Sequence, residues 1–158
     1  MPVPISTPSS TSTHDLNSPD ILNADYSMKE NGNIFFAGQM TGVEGYIEST
    51  GSGFVAGVNA AARVLGEEGV IFPTSTMIGA MANYVSSGNM SGSFVPMNAN
   101  FGIVEPLGFK VKGGKVAKYE VIAEKALSIL PEYAKRIGVE INSNIQGESE
   151  DRTNENNS

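Results

Sequence analysis

The chain has 158 residues, enough for one domain, and a formal net charge of −7 at pH 7, which opposes nucleic-acid binding by the chain as a whole. It contains no cysteine, which excludes disulfides, thiolate metal sites and a cysteine nucleophile supplied by this chain. The single histidine, His14, lies in a stretch rich in proline, serine and threonine, so a histidine-based metal site or catalytic triad is excluded and no metal is expected.

The two ends of the chain are poor in residues that could form a core. Residues 1–20 are dominated by proline, serine and threonine, and residues 138–158 by acids and asparagine. Neither stretch buries enough apolar surface to offset the entropy of ordering it. We therefore expect a disordered leader over 1–20, a folded part over 21–137 and a disordered acidic tail over 138–158.

Targeting signals are absent from the sequence. No basic segment followed by an apolar one opens the chain, and no apolar run approaches the roughly 18–20 residues that cross a bilayer. The sequence therefore predicts a cytoplasmic protein without a membrane partner.

The first elements of the folded part read as a strand, a glycine-rich turn and a helix. Ile34–Ala37 is a short, continuous apolar run, typical of a buried strand in a parallel sheet. From Gly45 the period becomes helical, and Gly66 is a plausible C-cap. The predicted apolar stripe of this helix comprises Ile47, Phe54, Val55, Val58, Ala62 and Leu65.

Two more helices follow. The first starts at the Pro73–Thr76 stretch and stops near Ser87 and Gly88, with Ile78, Met81, Ala82 and Val85 on its buried face. An irregular, glycine-rich loop is predicted over 88–114. The last helix runs from about 115 to 130, and Pro131 either kinks it or starts a second piece. Its predicted buried face comprises Val116, Tyr119, Ile122, Ala123, Ala126 and Leu130.

The turn between strand and helix carries the chemistry. Gly38, Gly42 and Gly45 permit positive φ and close approach of a ligand to the backbone. The helix that follows presents unpaired N–H groups and a positive dipole end, which favour an anion or an electron-rich ring carbonyl. From the glycine spacing alone, a tightly packed turn that binds no ligand is the alternative to a ligand site. The spacing is not a dinucleotide fingerprint.

Four blocks of the chain resemble the TrmFO family, the folate- and FAD-dependent tRNA uracil-5 methyltransferases, which are related to the GidA tRNA-modification proteins. The main block is NIFFAGQMTGVEGYIESTGSGFVAGVNAA, which begins at Asn33. The others are LNSPDILNADYSMK at Leu16–Lys29, GEEGVIFPTSTMIGAMANYV at Gly66–Val85 and FVPMNANFGIVEPL at Phe94–Leu107. The resemblance covers about Leu16–Leu130 and is to the family's C-terminal portion.

The resemblance implies an α/β fold, in which this chain is the C-terminal part of an FAD/NAD(P)-binding Rossmann-like domain, followed by C-terminal helices. It implies FAD as cofactor, methylenetetrahydrofolate and NAD(P)H as co-substrates, and a T-loop uridine of tRNA as substrate. By motif match, the residues along the flavin are Gly38, Gln39, Gly42, Val43, Glu44, Gly45 and Tyr46.

Two further groups of residues are candidates for substrate contact. Asn98, Asn100 and Phe101 would line the folate or flavin pocket; the other interpretation is a structural loop in which the Asn side chains satisfy turns. Lys110, Lys112, Lys115 and Lys118 would contact tRNA phosphate, although such a cluster is more often a solvated face.

Important parts of such an enzyme have no counterpart here. No GxGxxG turn is present for the ADP half of FAD, and the family's catalytic cysteines have no match. We assign no catalytic residue and expect the chain alone to be inactive. It is interpreted as a C-terminal fragment of the methyltransferase, or else as a non-catalytic remnant or interaction module that needs a separate N-terminal FAD-binding half.

Overall fold

A computed structural model describes residues 17–88 and 94–139, and within these ranges the chain is mainly helical. The helices are α1 (Ser18–Ile21), α2 (Tyr46–Leu65), α3 (Met77–Ser87) and α4 (Gly114–Arg136), with a 3₁₀ turn at Gln39–Thr41. The leader and tail predicted for 1–20 and 138–158 lie largely outside the described residues. Helix α1 starts at the buried Ser18 and so lies partly within the segment 1–20 that was predicted as a disordered leader.

The segment 34–37 is extended, but the predicted parallel strand is not formed among the described residues. Phe35 makes one isolated antiparallel bridge with Ser27. The N–H of Phe36 donates to the C=O of Tyr26 at 3.0 Å, and that of Met28 to the C=O of Ile34 at 2.8 Å. A parallel sheet needs neighbouring strands brought in by crossover connections. Within residues 17–88 and 94–139, segment 34–37 pairs only with this short antiparallel return.

Helix α2 has the predicted bounds, and Gly66 closes it in the left-handed conformation with φ of 72°. Its buried face is rotated from the predicted stripe. Ile47 and Leu65 are 85% and 69% exposed and Phe54 is 42% exposed, so the predicted stripe is partly uncovered. Hydrophobic spacing specifies a helix, whereas the position of its neighbours decides which side is covered. The buried residues of α2 are Ser52, Val55, Ala56, Asn59 and Ala62.

Helix α3 begins as predicted, since the hydroxyl of Thr76 accepts the N–H of Gly79 at 3.1 Å. Met81, Ala82 and Val85 are buried, and α3 packs on α1 and α2.

Helix α4 continues through Pro131 to Arg136, so no new helix starts at the proline. Ile122 is the one buried residue of α4, and Val116 is 70% exposed, so its predicted buried face is only partly formed. At its C-terminal end, the Tyr133 ring lies 5.6 Å from the ring of Phe72 in the main core.

The main core joins the segment that contains Leu22, Tyr26 and Val43 to α2 and α3. Its fully buried members include Leu22, Tyr26, Val43, Val55 and Val85. A second cluster, formed by Ala80, Val104 and Ile122, holds the irregular loop 94–113 against α4, and that loop is irregular as predicted. None of the described helices combines the length and apolar character needed to cross a bilayer.

Candidate functional site

The glycine-rich turn has the predicted conformation. Gly38, Gly42 and Gly45 adopt φ values of 73°, 85° and 102°. At Gly42 an added Cβ would also lie 2.3 Å from the Phe94 ring, so a side chain is excluded there by both strain and space. Buried Thr41 closes the turn, because its N–H and Oγ donate to the C=O of Gly38 at 2.9 and 2.7 Å.

The start of α2 lies open beside this turn. Gly45 is the N-cap and has no side chain that could accept the N–H groups of the first helical turn. Tyr46, the first helical residue, is 94% exposed. The positive end of a 20-residue helix is therefore accessible at this turn.

Glu48 lies at the third helical position and turns its carboxylate back towards the turn. Its Oε1 accepts the N–H of Ala99 at 3.0 Å. A Cβ on Gly45 would lie 2.3 Å from Oε2, which places this carboxylate against the N-cap. A negative charge in the first turn is favoured by the helix dipole. Glu48 thus links the helix start to residue 99.

Residues 97–99 lie against the glycine-rich turn and the start of α2. Val43 and Met97 form a parallel bridge, with both of its hydrogen bonds at 3.0 Å. The side-chain amide of Asn98 donates to the C=O of Glu44 at 2.9 Å. Asn98 is therefore bonded to the glycine-rich turn. The sequence did not predict this contact, because Asn98 and Glu44 are 54 positions apart in the chain.

Asn100 and Phe101 are engaged elsewhere. The Oδ1 of Asn100 accepts the N–H of Gly102 at 2.9 Å, the structural turn that was the other interpretation of this residue. The Phe101 ring stacks on Tyr119 of α4 with centroids 4.1 Å apart and planes at 13°. One face of this ring is therefore already covered, and the three predicted pocket residues do not converge on one point.

The lysine cluster lies where the loop enters α4. All four lysines, Lys110, Lys112, Lys115 and Lys118, are exposed. The first turn of α4 contains no acid, and the Lys115 ammonium lies 5.5 Å from the centroid of the Tyr119 ring. Cations at the positive end of a helix repel the dipole, so this end attracts anions.

Not every amide of the turn is available to a ligand. The N–H of Gly38 donates to the Oγ of Ser52 at 2.8 Å, and the N–H of Gly42 donates to Gln39 at 2.9 Å. The N–H of Glu44 is taken by Met97. Of the predicted contacts, the start of α2 at Gly45 and Tyr46 is the part that is left open. Ser52 was not identified from the sequence, since a serine within a helix gives no signal of a long-range bond.

A cavity of about 220 Å³ lies beneath the start of α2. Tyr26 lines it and is only 1% exposed, and burial raises the pKa of its hydroxyl above the usual range. Glu48 lines the same cavity. The remaining lining is Ile47, Gly51, Ser52, Met77, Ile78, Met81 and Ala99. Within residues 17–88 and 94–139, no three His, Asp or Glu side chains group as a metal site.

Comparison with known proteins shows which proteins the chain resembles. The family model of glucose inhibited division protein A (GidA) matches residues 5–68, which include the turn and α2. A protein of Staphylococcus epidermidis named methylenetetrahydrofolate–tRNA-(uracil-5-)-methyltransferase TrmFO is 49% identical over 122 residues. The chain is a relative of the TrmFO proteins.

Other TrmFO proteins match to a similar extent. Those of Acetivibrio thermocellus and Halalkalibacterium halodurans are 50% and 48% identical over 121 and 122 residues. In each case the match covers 77% of this chain but only 27% or 28% of the relative. The chain thus spans little more than a quarter of these relatives. The GidA match also starts at residue 5, earlier than the resemblance seen in the sequence from Leu16.

Proposed function

We propose that this chain supplies the flavin-contacting C-terminal segment of a folate- and FAD-dependent tRNA uracil-5 methyltransferase. The observation that supports it is the open N-terminus of α2 beside a turn of three positive-φ glycines. Segment 34–65 would complete a Rossmann-like FAD-binding domain, with the other strands supplied by sequence that this chain does not span. The enzyme would act in the cytoplasm.

The residues present fit one end of FAD. The uncapped N–H groups after Gly45 and the helix dipole favour electron density on a ring edge, and the exposed Tyr46 would flank it. Bound FAD supplies the reducing equivalents, drawn from NAD(P)H, that turn the one-carbon unit of methylenetetrahydrofolate into a methyl group. This chain orients the ring, and the ADP half would be held by other residues.

Substrate contacts are proposed at two places. Asn98 would help line the folate side of the pocket, because it is bonded to the backbone of Glu44 beside the helix start. Asn100 and Phe101 would act only indirectly there, by shaping the loop. The exposed lysines at the start of α4 would contact tRNA phosphate, with the unneutralised helix dipole adding to their attraction for anions.

The second candidate is a non-catalytic remnant or interaction module. Neither a cysteine nor a GxGxxG turn lies in the given sequence, and the match spans 28% of the S. epidermidis protein, so this segment holds only part of such an enzyme's machinery. The two candidates predict different results when the rest of the enzyme is present. A functional segment would then support methylation of tRNA, whereas a remnant would not.

A chimaera separates them. The matched 122 residues of the S. epidermidis TrmFO protein are replaced by the corresponding segment of this chain, and transfer of methyl groups to tRNA uracil is measured. We expect methylation, and we expect Gly45→Val in the chimaera to abolish it because a side chain there collides with Glu48 and Asn98 at positive φ. A folded chimaera that does not methylate tRNA would identify this chain as a remnant.

A further inference from the structure

Phe109 is an exposed aromatic residue directly before the first lysine of the cluster. Its side chain is 64% exposed and belongs to neither core cluster, and its ring contacts no other ring within residues 17–88 and 94–139. The other two rings of this region, Phe101 and Tyr119, stack on each other, and the Lys115 ammonium lies 5.5 Å from the Tyr119 centroid. Phe109 is therefore the ring of this region that remains accessible to a ligand.

The segment that carries Phe109 is anchored at both ends. Leu107 and Tyr119 both pack against the second core cluster. Between them, Gly108 and Gly113 adopt φ values of 74° and 111°, which glycine accepts without strain. The exposed ring and the lysines are thus carried by a stretch of backbone that is fixed before any ligand arrives, so little ordering entropy is lost on binding.

This segment is locally basic in an acidic chain. Residues 106–119 contain four lysines and no acid, whereas the whole chain carries a net charge of −7. All four lysines are exposed, and Lys110 and Lys112 follow Phe109 closely along the chain. A polyanion is therefore attracted to this segment and repelled by the acidic remainder of the chain.

An accessible ring next to exposed lysines suits single-stranded nucleic acid. Ammonium groups bind phosphates whatever the sequence, and an aromatic ring stacks on an unpaired base. Bases within a duplex are already stacked and cannot reach such a ring. A protein surface is a poorer match, because packing it on Phe109 would also remove neighbouring ammonium groups from water. The chemistry therefore favours an unpaired nucleotide.

We propose that Phe109 stacks on an unpaired base of tRNA while Lys110 and Lys112 bind the adjacent phosphates. The proposal rests on the proposed function, in which the lysines contact tRNA phosphate, and adds a residue that selects unpaired nucleotides. Lysine contacts alone would not distinguish a loop of tRNA from a base-paired arm, since both carry phosphates. Phe109 would supply that preference, because an unpaired base exposes a face for stacking.

The test measures the affinity of the full chain for a labelled, unmodified tRNA transcript by fluorescence anisotropy at low salt. Phe109→Ala should weaken binding at least about fivefold, the lower end of what one stacked base contributes. Phe109→Trp should retain the affinity, whereas Phe109→Leu should not, because leucine is apolar but has no ring face. Leu127→Ala is the matched control, since Leu127 is 65% exposed on α4, and it should leave the affinity unchanged.

Two further measurements identify stacking on an unpaired base. Phe109→Ala should leave the affinity for a fully base-paired RNA unchanged, and it should not alter the salt dependence of tRNA binding. Lys112→Ala, in contrast, should reduce the slope of that salt dependence by about 1. The proposal is overturned if the chain does not bind tRNA, if Phe109→Ala or Phe109→Leu binds tRNA as tightly as the unaltered chain, or if Phe109→Ala loses as much affinity for the duplex.

The chimaera keeps this outcome distinct from the proposed function. An active chimaera, together with tRNA binding that does not depend on Phe109, would retain the proposed function and reject the stacking contact. Binding that depends on Phe109, alongside a folded but inactive chimaera, would support the contact and reject the proposed function.

Discussion

The Oγ of Ser52 accepts the N–H of Gly38 at 2.8 Å and donates to the C=O of Ser49 at 2.8 Å. Ser52 lies in the second turn of α2 and Gly38 opens the glycine-rich turn, so one hydroxyl fixes the turn relative to the helix that follows it. The candidate site depends on this hydrogen bond, because the open N–H groups at Gly45 can contribute to a ligand site with the turn only if the turn is held beside them.

Ser52→Ala should lower the free energy of unfolding by about 1–3 kcal/mol, since it leaves the half-buried N–H of Gly38 without its acceptor. Urea denaturation of the purified chain measures the change. Ser128→Ala is the control, because that hydroxyl also bonds within its helix, to Lys125, but is exposed. Equal stability of the two variants would contradict the role assigned to Ser52.

Asn59→Ala should destabilise the chain by about 2–4 kcal/mol. The buried amide donates to the C=O groups of Val55 and Val70 and accepts the N–H of Val70 at 2.6 Å, so truncation leaves buried backbone groups unbonded. Thermal unfolding followed by circular dichroism checks this. Asn83→Ala, at an exposed position of α3, should change stability by less than about 0.5 kcal/mol. A similar loss of stability in both variants would show that the hydrogen bonds of Asn59 do not account for the effect.

Gly79→Ala and Gly53→Ala should have opposite effects. A Cβ on Gly79 would lie 2.2 Å from the C=O oxygen of Pro73, which is backbone and cannot easily move, so we expect a loss above about 2 kcal/mol. A Cβ on Gly53 meets nothing within 4 Å, and alanine there should stabilise the isolated chain by about 0.5–1 kcal/mol. Denaturation midpoints that move in the same direction for both would contradict the packing described.

Tyr26 should make stability fall at alkaline pH. Burial raises the pKa of its hydroxyl above the unfolded value of about 10. The stabilising effect is complete below about pH 10 and is lost as pH rises towards the folded pKa, because the unfolded chain releases the proton first. Unfolding free energies between about pH 8 and pH 11 test this, with Tyr26→Phe as the control. If the free energy of unfolding of Tyr26→Phe falls as steeply with pH as that of the unaltered chain, Tyr26 does not cause the loss of stability.

Local signals in the sequence predicted local structure well. Gly66 and Thr76 mark helix ends through their own backbone and side-chain chemistry, and the three turn glycines adopt the positive φ that only glycine accepts cheaply. These features depend on a few adjacent residues and need no knowledge of the tertiary fold.

Long-range relations were not predictable in the same way. The stripe through Ile47 and Leu65 has the correct period, yet the neighbours of α2 cover a different side. Asn98 joins the turn while Phe101, three residues on, stacks on Tyr119 instead. The strand at Ile34–Ala37 requires neighbours that the described chain does not contain, so composition indicated a buried strand where an open edge is found.

Titration of FAD, followed by visible absorption and flavin fluorescence, tests the central claim most directly. With the purified chain alone we expect no tight, stoichiometric yellow complex, because the open helix end holds only one part of the cofactor. With the unmatched part of the S. epidermidis TrmFO protein added, we expect a stoichiometric complex that Gly45→Val prevents. A tight complex with the chain alone, or none with both parts present, would contradict the claim that this turn completes a divided flavin site.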